Sequence, residues 1–71
     1  MEVANAGELV RKLRKEKGLT LQDLSEKVGV NYVNLSLIER GKSNTNPQTV
    51  FKLAKALGIE YDQLYDLFYK K

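Results

Sequence analysis

Within seven residues, Asn31-Tyr32-Val33-Asn34-Leu35-Ser36-Leu37, the chain sets two carboxamides, a phenol and a hydroxyl among three branched apolar side chains. These groups activate no nucleophile near neutral pH. They donate and accept hydrogen bonds and offer methyl surface, which is the chemistry of recognition. The rest of the chain adds little that could catalyse. Its 71 residues include no histidine and no cysteine. That removes the usual general base, the imidazole and thiolate metal ligands, and any disulfide. The carboxylates fall in no catalytic or calcium-loop spacing. Composition therefore argues against an enzyme, and neither a metal nor another cofactor is expected.

Charge is a weaker guide. Twelve cations against nine anions leave a net charge of +3. Such a balance fits simple solubility as well as a polyanionic partner. Its distribution says more. Five cations, Arg11, Lys12, Arg14, Lys15 and Lys17, form one run, whereas residues 60–68 are acidic and aromatic. No apolar run approaches membrane-spanning length and no signal-peptide pattern opens the chain, so a cytoplasmic protein without a membrane partner is expected. The length suits one domain and leaves no room for a ligand-sensing unit, so no small-molecule ligand is expected.

The elements that must position these groups read as helices. Gly18, Gly29, Gly41 and Gly58 each follow a segment of helical periodicity, where glycine accepts the conformation that ends a helix. The first helix is expected over 6–17, capped by Asn5, with Leu9, Val10 and Leu13 as its apolar stripe. The second, over 21–28, follows Thr20 as cap and carries Leu24 and Val28 inward. Gly29-Val30-Asn31 makes a tight turn into a third helix over 32–40. Two short helices joined by about three residues including glycine are the sequence form of a helix-turn-helix. Asn46-Pro47 opens a fourth helix over 47–57, and a fifth spans 61–69 with Leu64, Leu67 and Phe68 as apolar anchors. No strand-type alternation appears. The expected fold is all-α: one five-helix domain over 1–71.

A helical wheel at about 100° per residue orients the third helix. Leu35, Ile38, Asn31 and Glu39 share the core side. Val33, Ser36, Leu37 and Arg40 occupy the opposite arc, with Tyr32 and Asn34 on the flanks. Val33 and Leu37 pointing at water ask for a cover. Thymine methyl groups in a DNA major groove would supply one, and so would a protein surface. Asn31, Tyr32 and Asn34 stand at the N-terminal end, the end that meets bases in docked helix-turn-helix proteins. Capping alone also accounts for Asn31.

Phosphate contacts would position such a helix. The free backbone N–H groups near Thr20, Leu21 and Gln22 suit a phosphate, as do Lys42, Ser43 and Asn44 after the third helix. The latter stretch reads equally as a polar linker. Most of the run 11–17 reads as the solvated face of the first helix. Arg14 lies near the core stripe through Val10, facing Glu39, so the two are expected to form a bridge, with Arg14 also within reach of a phosphate. Tyr61, Tyr65 and Tyr69 offer either a two-fold interface or caps on a small core.

Taken together, Val10 to Lys17, Gly18-Leu19-Thr20-Leu21-Gln22-Asp23-Leu24-Ser25-Glu26-Lys27-Val28-Gly29-Val30, Ile38-Glu39-Arg40-Gly41-Lys42 and Leu53-Ala54-Lys55-Ala56-Leu57-Gly58-Ile59 resemble the Cro/phage-repressor (XRE-type) helix-turn-helix family. The resemblance covers about 6–67. It implies a five-helix repressor-like domain that binds operator DNA, usually as a dimer. It places Asn31, Tyr32, Val33, Ser36 and Leu37 at base-facing positions, Thr20, Asn34, Lys42, Ser43 and Asn44 at backbone-contacting ones, and Arg14 and Glu39 at the family's ion pair. Leu21 stands where the family often carries a DNA-contacting glutamine, and Gln22 follows it. The expected function is a sequence-specific, double-stranded DNA-binding transcriptional regulator, a repressor acting as a homodimer on a palindromic operator. The rival is a protein-interaction or antitoxin-like module that uses the exposed face of the third helix.

Overall fold

The computed structural model describes residues 5–42 and 45–69. Among these residues it shows five α-helices and no strand: α1 (Ala6–Glu16), α2 (Leu21–Val28), α3 (Tyr32–Glu39), α4 (Pro47–Leu57) and α5 (Tyr61–Tyr69). Lys17 and Arg40, expected as last helical residues, are instead the C-caps of α1 and α3, each with near-helical backbone.

Local chemistry sets most helix starts. The Asn5 Oδ1 accepts from the Glu8 N–H at 2.9 Å, and the Asn46 Oδ1 accepts from Thr49 at 2.8 Å ahead of Pro47. Thr20 and Asp23 form a reciprocal capping box: the Asp23 N–H donates to the Thr20 Oγ1 and the Thr20 N–H to the Asp23 Oδ2, each at 3.0 Å. Those bonds from Thr20 hold the Asp23 carboxyl below its ordinary value of 3.8. A depressed carboxyl stabilises the fold only while ionised. This contribution is therefore complete above the ordinary value and disappears as pH falls through the lower, folded one. Gly29 ends α2 at φ 71°, a left-handed conformation that turns the chain toward α3 without a Cβ clash.

The core draws on every helix. Val10, Leu24, Leu35, Val50, Leu53 and Leu64 have no exposed surface. α1 packs on α3, α4 and α5, α2 packs on α3 and α4, and α4 packs on α5. Two stripes are turned relative to expectation. In α1 the buried side is Ala6, Gly7 and Val10, with Leu9 and Leu13 only partly covered. In α5 Leu64 is buried and Phe68 half-buried, whereas Leu67 is exposed.

Gly7 explains the first rotation. A Cβ placed there would lie 2.5 Å from the Ile38 carbonyl oxygen and 2.6 Å from that of Glu39. The backbones of α1 and α3 thus touch at a point where only glycine fits. Backbone atoms cannot rotate aside as a side chain would. Gly7→Ala is therefore expected to force the two helices apart and cost about 1–3 kcal/mol, the usual range for overpacking. Equilibrium urea unfolding measures this, and an unchanged midpoint would show that the two helices can slide freely.

Candidate nucleic-acid interface

Two eight-residue helices joined by Gly29-Val30-Asn31 leave the N-terminal half of α3 uncovered. Val33 is 60% exposed and Tyr32 48%. Asn31 and Asn34 are exposed beside them, while Ser36 and Leu37 are half-buried. The outward face therefore centres on Tyr32, Val33 and Asn34. Leu37, which the wheel puts nearly opposite the core, is partly covered.

Asn31 does more than one thing. Its Oδ1 accepts from the Val33 N–H at 2.8 Å and from the Asn34 N–H at 3.4 Å. With both lone pairs of that oxygen engaged, the side chain offers outward chiefly the two donors of its amide nitrogen. A contact that used the amide as donor and acceptor together would require the cap to open.

The flanking positions differ in availability. Thr20 is exposed, and its hydroxyl proton remains free of the capping box as a donor. The first-turn N–H groups of Leu21 and Gln22 cannot be satisfied within the helix. The Gln22 Nε2 donates to the Glu26 Oε2 at 2.8 Å, which lays the side chain along α2. Lys42 is exposed, with its own N–H donating to the Leu37 carbonyl at 2.8 Å. Ser43 and Asn44 lie outside the described residues.

Behind this face, the Arg14 Nε donates to the Glu39 Oε2 at 2.8 Å and its Nη2 to the Oε1 at 3.2 Å, a bidentate pair with side chains 11% and 7% exposed. The Arg14 Nη1 donates to the Leu19 carbonyl at 2.9 Å. One guanidinium thus ties α1, the α1–α2 turn and α3 together. So engaged and so buried, Arg14 is not available to a phosphate.

Elsewhere, aromatic rings step from α4 along α5. Centroids are 6.0 Å apart for Phe51 and Tyr61, 5.5 Å for Tyr61 and Tyr65, and 4.7 Å for Tyr65 and Tyr69. Tyr61 and Tyr65 are half-buried against the core; Phe51 and Tyr69 are exposed. The Tyr69 hydroxyl donates to the Thr45 carbonyl and accepts from the Thr45 hydroxyl. Desolvation, with Tyr65, Asp62 and Tyr69 nearby, raises the Tyr61 phenol above its ordinary value. Phe51 escaped sequence reading because its place beside Tyr61 depends on how α4 meets α5.

A five-helix all-α body presenting the third helix after a glycine turn defines a helix-turn-helix domain. The chain belongs to the helix-turn-helix family, whose model matches residues 10–64. It is 44% identical over 59 residues to the HTH-type transcriptional repressor RghR of Bacillus subtilis, covering 82% of this chain and 44% of RghR. The chain therefore spans less than half the length of that relative. Among solved structures it resembles the master regulator for biofilm formation SinR in complex with DNA, with a TM-score of 0.78 and 37% identity over 86% of this chain and 98% of the other. It also resembles the P22 c2 repressor in complex with a synthetic operator, with a TM-score of 0.81 and 29% identity over 97% of this chain and all of the other. Its relatives are HTH-type transcriptional regulators and repressors. No described helix is long and apolar enough to cross a membrane.

Proposed function

We propose that this chain is a cytoplasmic transcriptional regulator, a repressor that binds a palindromic operator as a homodimer with α3 in the major groove. The observation that carries the reading is the uncovered N-terminal half of α3, where Tyr32 and Val33 stand out between exposed Asn31 and Asn34. Val33 supplies methyl surface for thymine, Asn31 and Asn34 supply amide donors, and the α2 start with Lys42 supplies phosphate contacts. The similarity to two proteins solved with DNA supports it. The α5 tyrosines, Tyr61, Tyr65 and Tyr69, would form the two-fold contact, since one such module buries too little surface for tight operator binding.

Selection from random duplexes followed by sequencing tests the reading. The expected product is a two-fold-symmetric motif with half-sites one helical turn apart, about 10–10.5 base pairs. Recovery of no motif would defeat it. With the selected operator, Lys42→Ala is expected to weaken all duplexes alike and lower the slope of log affinity against log salt by about one unit. An unchanged slope would remove Lys42 from the phosphate set.

The protein-interaction reading draws on the apolar part of the same face, and one similar structure is a SinR/SinI protein complex. Under that reading Val33→Ala leaves duplex binding unaltered.

A further inference from the structure

A second feature borders the same face of α3. A polar groove runs between α1 and α3, lined by Asn5, Glu8 and Arg11 on one wall and Ser36, Glu39 and Arg40 on the other. The spacing is that of two facing helix stripes: three residues apart along α1, then three and four apart along α3. The Glu39 charge is neutralised by Arg14 inside the fold. The groove is left with two guanidiniums, Arg11 and Arg40, against the single carboxylate of Glu8. Both arginines are exposed, and neither makes an ion pair or side-chain hydrogen bond among the described residues. Lys12, one residue on, is by contrast paired with Glu16 at 3.7 Å.

We infer that this groove is a clamp for one backbone phosphate of the DNA duplex, closed by Arg11 from α1 and Arg40 from α3. The inference rests on the DNA-binding reading above and extends it beyond the end of the recognition helix. Two guanidiniums on opposite walls offer the paired N–H donors that phosphate oxygens accept. Ser36 lies between base-reading Val33 and Arg40 on α3, so the clamp is continuous with the proposed base contacts. Arg40 lies about 20° from Val33 on the helical wheel and aims at the same partner. The site would fix the tilt of α3 in the groove, because it grips the backbone at the end of the helix opposite to Asn31 and Thr20.

The test measures affinity for the selected operator and for an unrelated duplex across a salt series. Arg11→Ala and Arg40→Ala are each expected to lower the salt slope by about one unit, and the double variant by about two. Losses should be equal on both duplexes. Lys55→Ala, which removes an exposed cation from α4, is the control and should leave the slope unchanged. Melting temperatures of all four variants are expected to match the wild type, since neither arginine packs inside. Operators carrying one uncharged methylphosphonate at a time locate the contact. One position should weaken the wild type about tenfold and leave the double variant unaffected. A double variant that keeps the wild-type slope, or that responds to every methylphosphonate as the wild type does, overturns the clamp while leaving the DNA-binding reading intact. A wild type that selects no duplex overturns both, and capture of acidic peptide by the groove in that case would assign it to a protein partner.

Discussion

Val33→Glu is expected to abolish specific operator binding, lowering affinity about 100-fold or more, while the fold stays intact. Val33 is the most exposed apolar side chain of α3, at 60%. In the proposed docking its methyls would replace water against the groove floor. Fully covering a valine side chain is worth about 1.5–3 kcal/mol. The glutamate forfeits that contact and also places a carboxylate between two phosphate backbones, where the field is most repulsive. The folded state has little to lose. Surface replacements away from packing change stability by less than about 0.5 kcal/mol, and glutamate has a higher helix propensity than valine. Electrophoretic shift with the selected operator reads the effect, and a melting curve shows that the protein is still folded. Retention of wild-type affinity by a folded Val33→Glu protein would mean that α3 does not enter the groove by this face. The position matters for the clarity of the test. Leu37→Glu attacks the same face, but Leu37 is half-buried, so a loss of binding there would mix recognition with unfolding.

The second large effect lies inside the molecule. Removal of Glu39 by Glu39→Ala leaves the Arg14 guanidinium about nine-tenths buried with only the Leu19 carbonyl as partner. Breaking a buried pair from one side costs about 3–5 kcal/mol, because the remaining charge keeps its desolvation penalty. A chain of this length has a total stability of about 4–10 kcal/mol by the usual per-residue range. The single change is therefore expected to remove a large part of it and to shift the urea midpoint strongly. Replacing both partners with apolar side chains, Arg14→Met with Glu39→Leu, is expected to recover most of the loss, since no charge is then stranded. If Glu39→Ala costs less than about 1 kcal/mol, the pair contributes no more than an exposed one. DNA affinity gives a second readout. The pair holds α1 against the C-terminal end of α3, so the double apolar variant should fold and bind nearly normally if its role is purely structural.

Much of the frame was legible because the interactions that set it are local. Asn5, Thr20, Asn31 and Asn46 each satisfy N–H groups two or three residues ahead, and such contacts depend only on the chain's own turn. The same locality marks the helix ends. The facing of Arg14 and Glu39, 25 residues apart, followed from the angular position of each on its own helix, and the structure joins them. What angle alone misjudged was the extent of cover. The wheel of α3 places Val33 and Leu37 on one outward arc, yet one is open and the other half-covered. The α1 stripe turns so that Gly7 meets α3, while Leu9 and Leu13 are only partly covered. Leu67 has the right residue type and period for the core, and still points to solvent.

Residue order by itself determined the five helices, their caps, the glycine turn between α2 and α3, and the residue types available to a groove. All of these arise from contacts within one helical turn or from the periodicity of one helix. Tertiary packing, by contrast, settled that α1 and α3 touch backbone to backbone at Gly7, and that Arg11 and Arg40 line one groove. Those facts depend on where separate helices cross, and crossing is set by the summed packing of Val10, Leu24, Leu35, Val50, Leu53 and Leu64, which no single segment contains.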